Sequence, residues 1–258
     1  MRIITANLNG IRAAERKGFF DWMKKQRLDV LCIQETKAQE HQLTADDFHP
    51  KGYHSYFFDA EKKGYSGVAL YCKQEPDAVR MGLGWEHCDT EGRWIEADFG
   101  KLTVVSLYLP SGSSSDERHA NKLDFMDKLR AEMKKMRRRK REYIITGDFN
   151  TVHTEIDIKN FKPNRKNSGC TDVERQWMDD VLTKDGWTDA FRVVEKGPDN
   201  YTWWSNRGNA RANNVGWRID YQLVTPGLAD KVKKANVYTE NWFSDHAPLT
   251  IDYDYELA

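Results

Sequence analysis

The chain has no excess of charge. Lys plus Arg and Asp plus Glu number 40 each among 258 residues, for a formal net charge of zero. This excludes a bulk polycation that coats nucleic acid. A polyanion ligand is not excluded, because local fields rather than the sum govern such binding. Nor is there an apolar run near the ~20 residues of a membrane span. A strand-like run already begins at Arg2, leaving no room for a signal or transit peptide, so a soluble cytoplasmic protein is expected. Cysteines are few: Cys32, Cys72, Cys88 and Cys170 show no C-x-x-C or metal-finger spacing. Cys32 and Cys72 lie in apolar runs and read as buried reduced thiols rather than parts of a disulfide scaffold. Low-complexity tracts and short-period repeats are absent.

What is present is core material. With 39% hydrophobic residues and nine tryptophans the chain can bury a sizeable core, and its 258 residues, without a long linker, fit one large domain or two ordinary ones. Helical periodicity marks Ala13–Gln26, Ser115–Arg139 and Asp172–Lys184, the last opened by the capping signature Thr171-Asp172-Val173-Glu174. Strand candidates include Gly67–Cys72, Trp94–Phe99, Leu102–Leu109, Tyr143–Thr146, Ile219–Val224 and Leu249–Tyr253. Gly100-Lys101 joins two of them into a hairpin. Hairpins mixed with strand–helix alternation predict mixed sheets covered by helices.

Four polar clusters adjoin strand-like runs: Asn7-Leu8-Asn9-Gly10, Gln34-Glu35, Gly147-Asp148-Phe149-Asn150 and Ser244-Asp245-His246. In α/β architectures ligands gather beyond the carboxyl ends of strands. Carboxylates and carboxamides there suit a hard cation. Each cluster taken singly also has a plainer reading. Glu35 can be a surface ion pair, Asp148 and Asn150 a turn, and Asp245-His246 a cap. A histidine such as His246 acts as an acid–base group, or holds a phosphate when protonated, and Asp220 is the best candidate to orient it. Tyr108 places a phenol at the end of the hairpin strand. Tyr201–Arg207 and Val215–Arg218 set aromatics beside cations, a pairing that stacks on sugars and bases while neutralising phosphates; as single residues, these aromatics equally fill cores. Asn160, Asn164 and Lys166 lie on a loop-like stretch suited to phosphate contact. Lys134–Arg141, with seven cations in eight positions, reads as the solvated end of a long helix.

The ordered set Asn7-x-Asn9-Gly10, Gln34-Glu35, Gly64-Tyr65-Ser66-Gly67, Asp89-x-Glu91-Gly92-Arg93, Tyr108-x-Pro110, Gly147-Asp148-Phe149-Asn150, Trp203-Trp204, Trp217-Arg218-Ile219-Asp220 and Ser244-Asp245-His246 resembles the exonuclease III family of apurinic/apyrimidinic endonucleases, within the endonuclease–exonuclease–phosphatase superfamily. The resemblance runs from Arg2 to about Tyr253 and implies a single domain over residues 1–258. It implies a four-layer α/β sandwich with two packed mixed β-sheets flanked by helices. It also implies a Mg²⁺-dependent repair nuclease, with Mn²⁺ as a possible substitute. The substrate would be double-stranded DNA with abasic sites or blocked 3′ ends, met by a monomer.

By the same resemblance, Glu35 is the principal metal ligand, with Asn7, Asp148, Asn150 and Asp245 around it. Tyr108, Asp148, Asn150, Asp220 and His246 form the catalytic set. Asn9, Arg93, Asn160, Asn164, Lys166, Trp203, Arg207, Trp217 and Ile219 contact DNA. Two departures stand out. Ser111 and Ser114 occupy positions where many relatives carry Asn and some carry a DNA-inserting Arg, and the wedge at Arg207 is charged. A phosphatase of the wider superfamily would share the metal site without needing Trp203, Arg207 and Trp217.

Overall fold

The computed structural model describes residues 1–257. Strands in the first half are β1 (Arg2–Asn7), β2 (Val30–Gln34), β3 (His54–Phe58), β4 (Val68–Cys72), β5 (Ala78–Met81), β6 (Trp94–Phe99) and β7 (Leu102–Tyr108). The second half adds β8 (Glu142–Asp148), β9 (Thr188–Asp189), β10 (Trp203–Trp204), β11 (Gly216–Trp217), β12 (Asp220–Val224), β13 (Val232–Val237) and β14 (Leu249–Tyr253). The helices are α1 (Ile11–Arg16), α2 (Phe19–Lys24), α3 (Glu86–Asp89), α4 (Asp116–Met136), α5 (Phe161–Asn164), α6 (Asp172–Thr183), α7 (Ala190–Val194) and α8 (Pro226–Ala229).

Two six-stranded sheets result, ordered β13-β14-β1-β2-β4-β3 and β5-β6-β7-β8-β12-β9. Each has one parallel pair at its centre, β1–β2 in the first and β7–β8 in the second, flanked on both sides by antiparallel neighbours. The pairing pattern is the same in both sheets, which accords with the two Asn/Asp-x-Asn strand ends read as similar halves. A parallel pair needs a crossover. Helices α1 and α2 provide it in the first sheet and α4 in the second.

Alternation along the strands builds the layers. Ile3, Val30, Cys32, Val68 and Leu70 point toward Ile95, Ala97, Val104 and Ile144 and form the core between the sheets. Their neighbours Ile4, Leu31, Ile33 and Ala69 face the other way, onto Phe19, Phe20 and Met23. On the second sheet Val105, Ile145 and Leu223 meet Met126, Leu129, Trp177 and Met178 of α4 and α6. Strands covered on both faces need continuous apolar runs, which is why these read as unbroken stretches rather than alternating ones. The expected four-layer sandwich is therefore the observed one.

The expected helix over Ala13–Gln26 is two helices instead. Gly18 sits between α1 and α2 at φ 81°, a left-handed backbone that cannot continue an α-helix. The long helix begins where it was expected, with the Ser115 hydroxyl accepting the Arg118 amide as N-cap. No helix among the described residues is long and apolar enough to cross a membrane.

Candidate active site

The two parallel pairs point their carboxyl ends the same way, so β1, β2, β7 and β8 deliver Asn7, Gln34-Glu35, Tyr108 and Asp148 to one end of the sandwich. The antiparallel neighbours add their amino ends. Asp220, opening β12, stands opposite Asp148 in the register, and His246 precedes β14. Gln34 does not face the cleft. Its carboxamide donates to Ser106 Oγ across the sheet interface at 2.9 Å and accepts from Thr5 Oγ1 at 3.0 Å, fastening one sheet to the other just below the site. Asp148 comes so close to β7 only because residue 147 is glycine. A Cβ there would lie 1.9 Å from the Leu107 carbonyl oxygen.

Asp148 is 1% exposed. Its Oδ1 accepts the Asn150 amide at 2.8 Å, and its Oδ2 accepts Asn7 Nδ2 at 2.9 Å. Asn7 Nδ2 also donates to Glu35 Oε1 at 2.8 Å, so one carboxamide holds both carboxylates. Asn150 donates its side chain to the Leu109 carbonyl at 2.9 Å and to Asp148 Oδ2 at 3.3 Å. His246 Nδ1 donates to Asp220 Oδ2 at 2.9 Å, while Nε2 stands 3.8 Å from Asp148 Oδ2. Ser244 fixes the turn that carries this ring, its hydroxyl donating to the Asn7 carbonyl at 2.6 Å. Asn9, Glu35, Lys37 and Asn150 all adopt positive φ, the kind of strained backbone that concentrates at functional sites.

The buried charges shift one another. Burial pushes the Asp148 carboxyl up to about 7, against the pull of the His246 charge and with help from Asp220 and Glu35. Burial alone would discharge His246. Asp220 first and Asp148 second outweigh it and raise the ring to about 10, so it is an imidazolium at neutral pH. Burial, with the Glu35 carboxylate alongside, holds the Tyr108 phenol well above its ordinary value, leaving it a donor.

Ligand atoms of Glu35, Asp148 and His246 lie within 4.8 Å of one another. Two carboxylates beside carboxamides form an oxygen-rich set that fits a hard divalent cation. Asn7 braces both carboxylates through Nδ2, while its Oδ1 accepts the Asn9 amide at 2.9 Å and keeps a second lone pair for a cation. Asp245 lies outside the cluster, with its oxygens taken by Asn9 Nδ2 and Trp203 Nε1 at 2.9 and 3.1 Å. Lys37, two residues past Glu35, reaches Glu35 Oε2 at 2.7 Å and Asn9 Oδ1 at 2.5 Å.

These groups open into a cleft of about 970 Å³. Asn9, Lys166, Trp203, Arg207, Trp217 and Ile219 line it as well, so most of the expected DNA-contacting residues share one cavity with the acid–base groups. Trp203 and Trp217 meet edge to face at 5.9 Å over Ile219, Val152, Ile158 and Cys170, making an apolar wall.

The expectation that Arg93 and Arg218 face DNA fails here. Arg93 is 1% exposed and cannot reach DNA; its guanidinium lies 4.7 Å above the Tyr108 ring and donates to the Tyr108 carbonyl, Tyr65 and Glu91. Arg218 is likewise buried, in ion pairs with Asp157 and Asp189, and Tyr201 and Trp204 are core residues. Asn160 and Asn164 are not in the cleft wall. Asn160 opens α5 in a left-handed conformation, and the Asn164 carboxamide bonds the Asn160 carbonyl and Asn167. Sequence reasoning passed over Lys37, His119, Asn167 and Ser168, all in the wall, and marked Ser111 and Ser114 there only as departures from the family pattern. Only Lys37 carried a signal, as a cation just past a strand-end carboxylate.

A family model described as Endonuclease/Exonuclease/phosphatase matches residues 4–246. The chain belongs to that family. An exodeoxyribonuclease of Bacillus subtilis (strain 168) is 39% identical over 253 residues, covering 97% of this chain and 98% of that protein. The DNA repair nuclease APEX1 of Danio rerio is 40% identical over 260 residues, 97% of this chain and 81% of the relative. Among solved structures, an AP endonuclease from Archaeoglobus fulgidus superposes with a TM-score of 0.89 at 30% identity, over 99% of this chain and 100% of the other. A 3′-5′ exonuclease from Neisseria meningitidis gives the same TM-score at 27% identity and the same coverage. The expected membership and enzyme class therefore hold: the chain is a nuclease of this family.

Proposed function

We propose that the protein hydrolyses the phosphodiester on the 5′ side of an abasic site in double-stranded DNA, leaving a 3′-hydroxyl and a 5′-deoxyribose phosphate. The observation that supports this most is the shared cleft. The Asp148–His246–Asp220 group and the apolar wall of Trp203, Trp217 and Ile219 open onto the same space. A sugar without a base leaves the helix with little unstacking cost and fits a small apolar slot, whereas an intact nucleotide does not.

Glu35 and Asp148 would hold Mg²⁺, or Mn²⁺ in its place. When bound, the ion polarises the phosphoryl oxygens. Asp148 orients the attacking water and takes its proton, standing 3.8 Å from the charged His246 ring. His246 is ill suited to that role because Asp220 keeps it charged; it donates instead to the oxygen that gains negative charge. Tyr108 donates to the phosphate. Asn150 steadies Asp148, and Lys166 and Arg207 neutralise flanking phosphates. The same constellation serves blocked 3′ ends, as 3′-phosphodiesterase, 3′-phosphatase and 3′→5′ exonuclease. The protein would act as a monomer on the chromosome in the cytoplasm.

A substrate panel tests this reading. Abasic duplex, intact duplex, 3′-phosphate ends and inositol phosphates are each incubated with Mg²⁺ and with chelator. Incision confined to abasic duplex and 3′ ends, and abolished by chelator, is expected. Hydrolysis of inositol phosphates with abasic duplex untouched would replace this reading with the phosphatase one.

A further inference from the structure

A buried ion pair lies behind the cleft, between α4 and α6. Lys122 and Glu174 are both 0% exposed and meet at 2.5 Å. Such pairs stabilise little, since an apolar pair of similar volume does as well or better. A lysine buried on the apolar stripe of α4 therefore calls for a geometric reason. Its ammonium also donates to the Asn150 carbonyl at 2.6 Å. Glu174 accepts from the Gly169 amide at 2.8 Å, from Ser168 Oγ at 3.2 Å and from the Thr171 hydroxyl at 2.6 Å. The loop and the strand end touch directly as well. Val152 N donates to the Gly169 carbonyl at 2.8 Å, and a Cβ on Gly169 would lie 2.8 Å from the Asn150 oxygen.

We infer that Lys122 and Glu174 are positioning residues that lock the peptide after Asn150 to the cleft-lining loop, and so hold Asp148 in its reactive orientation. Asn150 sits at φ 48° and has two grips on Asp148, its backbone amide and its carboxamide. Turning its carbonyl away from Lys122 rotates the same peptide chain that carries both grips. Because Glu174 binds the residues beside Lys166 and Asn167 in the cleft wall, pressure from a seated duplex on that wall reaches Asn150 through two charge-assisted bonds. This rests on the proposed nuclease role of Asp148 and deepens it.

The test compares the wild type with Lys122→Met/Glu174→Gln, which removes the brace without orphaning a buried charge, and with Glu174→Gln alone. Steady-state kinetics on abasic duplex in Mg²⁺ are read with thermal melting and hydrogen exchange at the Asn150 and Gly169 amides. The expected result is a folded double variant whose kcat falls about tenfold to a hundredfold while KM moves much less, as a small misplacement of a reacting group does. Faster exchange at Asn150 should accompany it. An unchanged kcat in the folded double variant overturns the inference, as does a rise confined to KM. If the double variant does not fold, Glu174→Gln decides by the same readings, with a smaller loss of the same kind. If the wild type leaves abasic duplex uncut, the proposed function fails, and exchange at the Asn150 and Gly169 amides still decides whether the brace exists.

Discussion

Replacing Asp220 by Asn changes one charge and almost no volume, and it isolates what that charge does to His246. The imidazole is 6% exposed, with Nδ1 2.9 Å from Asp220 and Nε2 3.8 Å from Asp148. Its rise from 6.5 to about 10 amounts to roughly 5 kcal/mol in favour of the charged ring, at about 1.4 kcal/mol per pH unit. Asp220 is the largest favourable contributor, ahead of Asp148 and Asp245. Losing a carboxylate at contact distance lowers the partner by about 1–3 pH units. The asparagine oxygen can still accept from Nδ1, so the ring keeps its direction.

The consequence is a moved alkaline limb. In the wild type, the alkaline limb of kcat on abasic duplex should lie near pH 10, where the ring discharges. In Asp220→Asn the limb should fall about 1–3 pH units lower. Stability gives a second reading with a definite sign. A histidine raised in the folded state stabilises it fully below its unfolded value, and that contribution is lost as pH rises through the folded one. The melting difference between wild type and variant should therefore be widest below pH 6.5 and close toward pH 10. An alkaline limb that does not move in a folded variant, or a melting difference indifferent to pH, would refute the assignment of His246 as a charged donor.

Asp148→Asn should abolish cleavage yet stabilise the protein in chelator. A carboxylate raised to about 7 by burial destabilises the folded state above its ordinary value, increasingly up to pH 7. With the loss to the His246 charge set against this, a gain of about 1–2 kcal/mol is expected above pH 7 by urea unfolding; a net loss would contradict it. Asp157 lies on Arg218 Nε at 2.7 Å and Arg192 Nη2 at 2.5 Å, which hold its carboxyl far below the usual range. Asp157→Asn should cost about 3–5 kcal/mol by leaving two guanidiniums short of a partner. That stability is present above the ordinary carboxylate value and lost only as pH falls toward the lowered one, so the wild-type advantage should shrink in acid melts. Lys166→Ala and Arg207→Ala should each reduce the slope of log affinity against log salt for duplex by about one; slopes equal to wild type would remove them from the phosphate path.

The strand ends were legible because burial and chemistry coincide there. Tyr143–Thr146 is apolar because both faces of β8 are covered, and Asp148 interrupts the run because the strand has reached the cleft. The buried cations were not legible. Arg93 and Arg218 read as surface groups because arginine usually is one. What pairs them comes largely from afar, Tyr65 joining the neighbouring Glu91 for the first, and Asp157 and Asp189 serving the second. Local propensity also passed over Gly18, whose left-handed backbone divides one apparent helix into two. Lys122 could have been found, since it shares a stripe with Phe125, Met126, Leu129, Met133 and Met136, where a lone lysine has no ordinary reason to be.

The site is divided between the sheets. The β1–β2 sheet contributes Asn7, Glu35 and His246, and the β7–β8 sheet contributes Tyr108, Asp148 and Asp220. Neither half holds both the imidazole and the carboxylate that keeps it charged. The pair exists only when the sheets are seated in one relative position. Polar links crossing the otherwise apolar interface hold that seating. Gln34 bonds Ser106, and Gln222 donates to the Ile3 carbonyl while accepting from Tyr253, so both carboxamides are paired inside the core. Apolar packing tolerates small slips of one sheet over the other, whereas a buried carboxamide forfeits a bond at once when displaced, at about 1–3 kcal/mol for each group left unpaired. Polar residues between the sheets are thus the feature that makes the two-part His246–Asp220 pair reproducible, since each of their bonds fixes the seating on which its 2.9 Å contact depends.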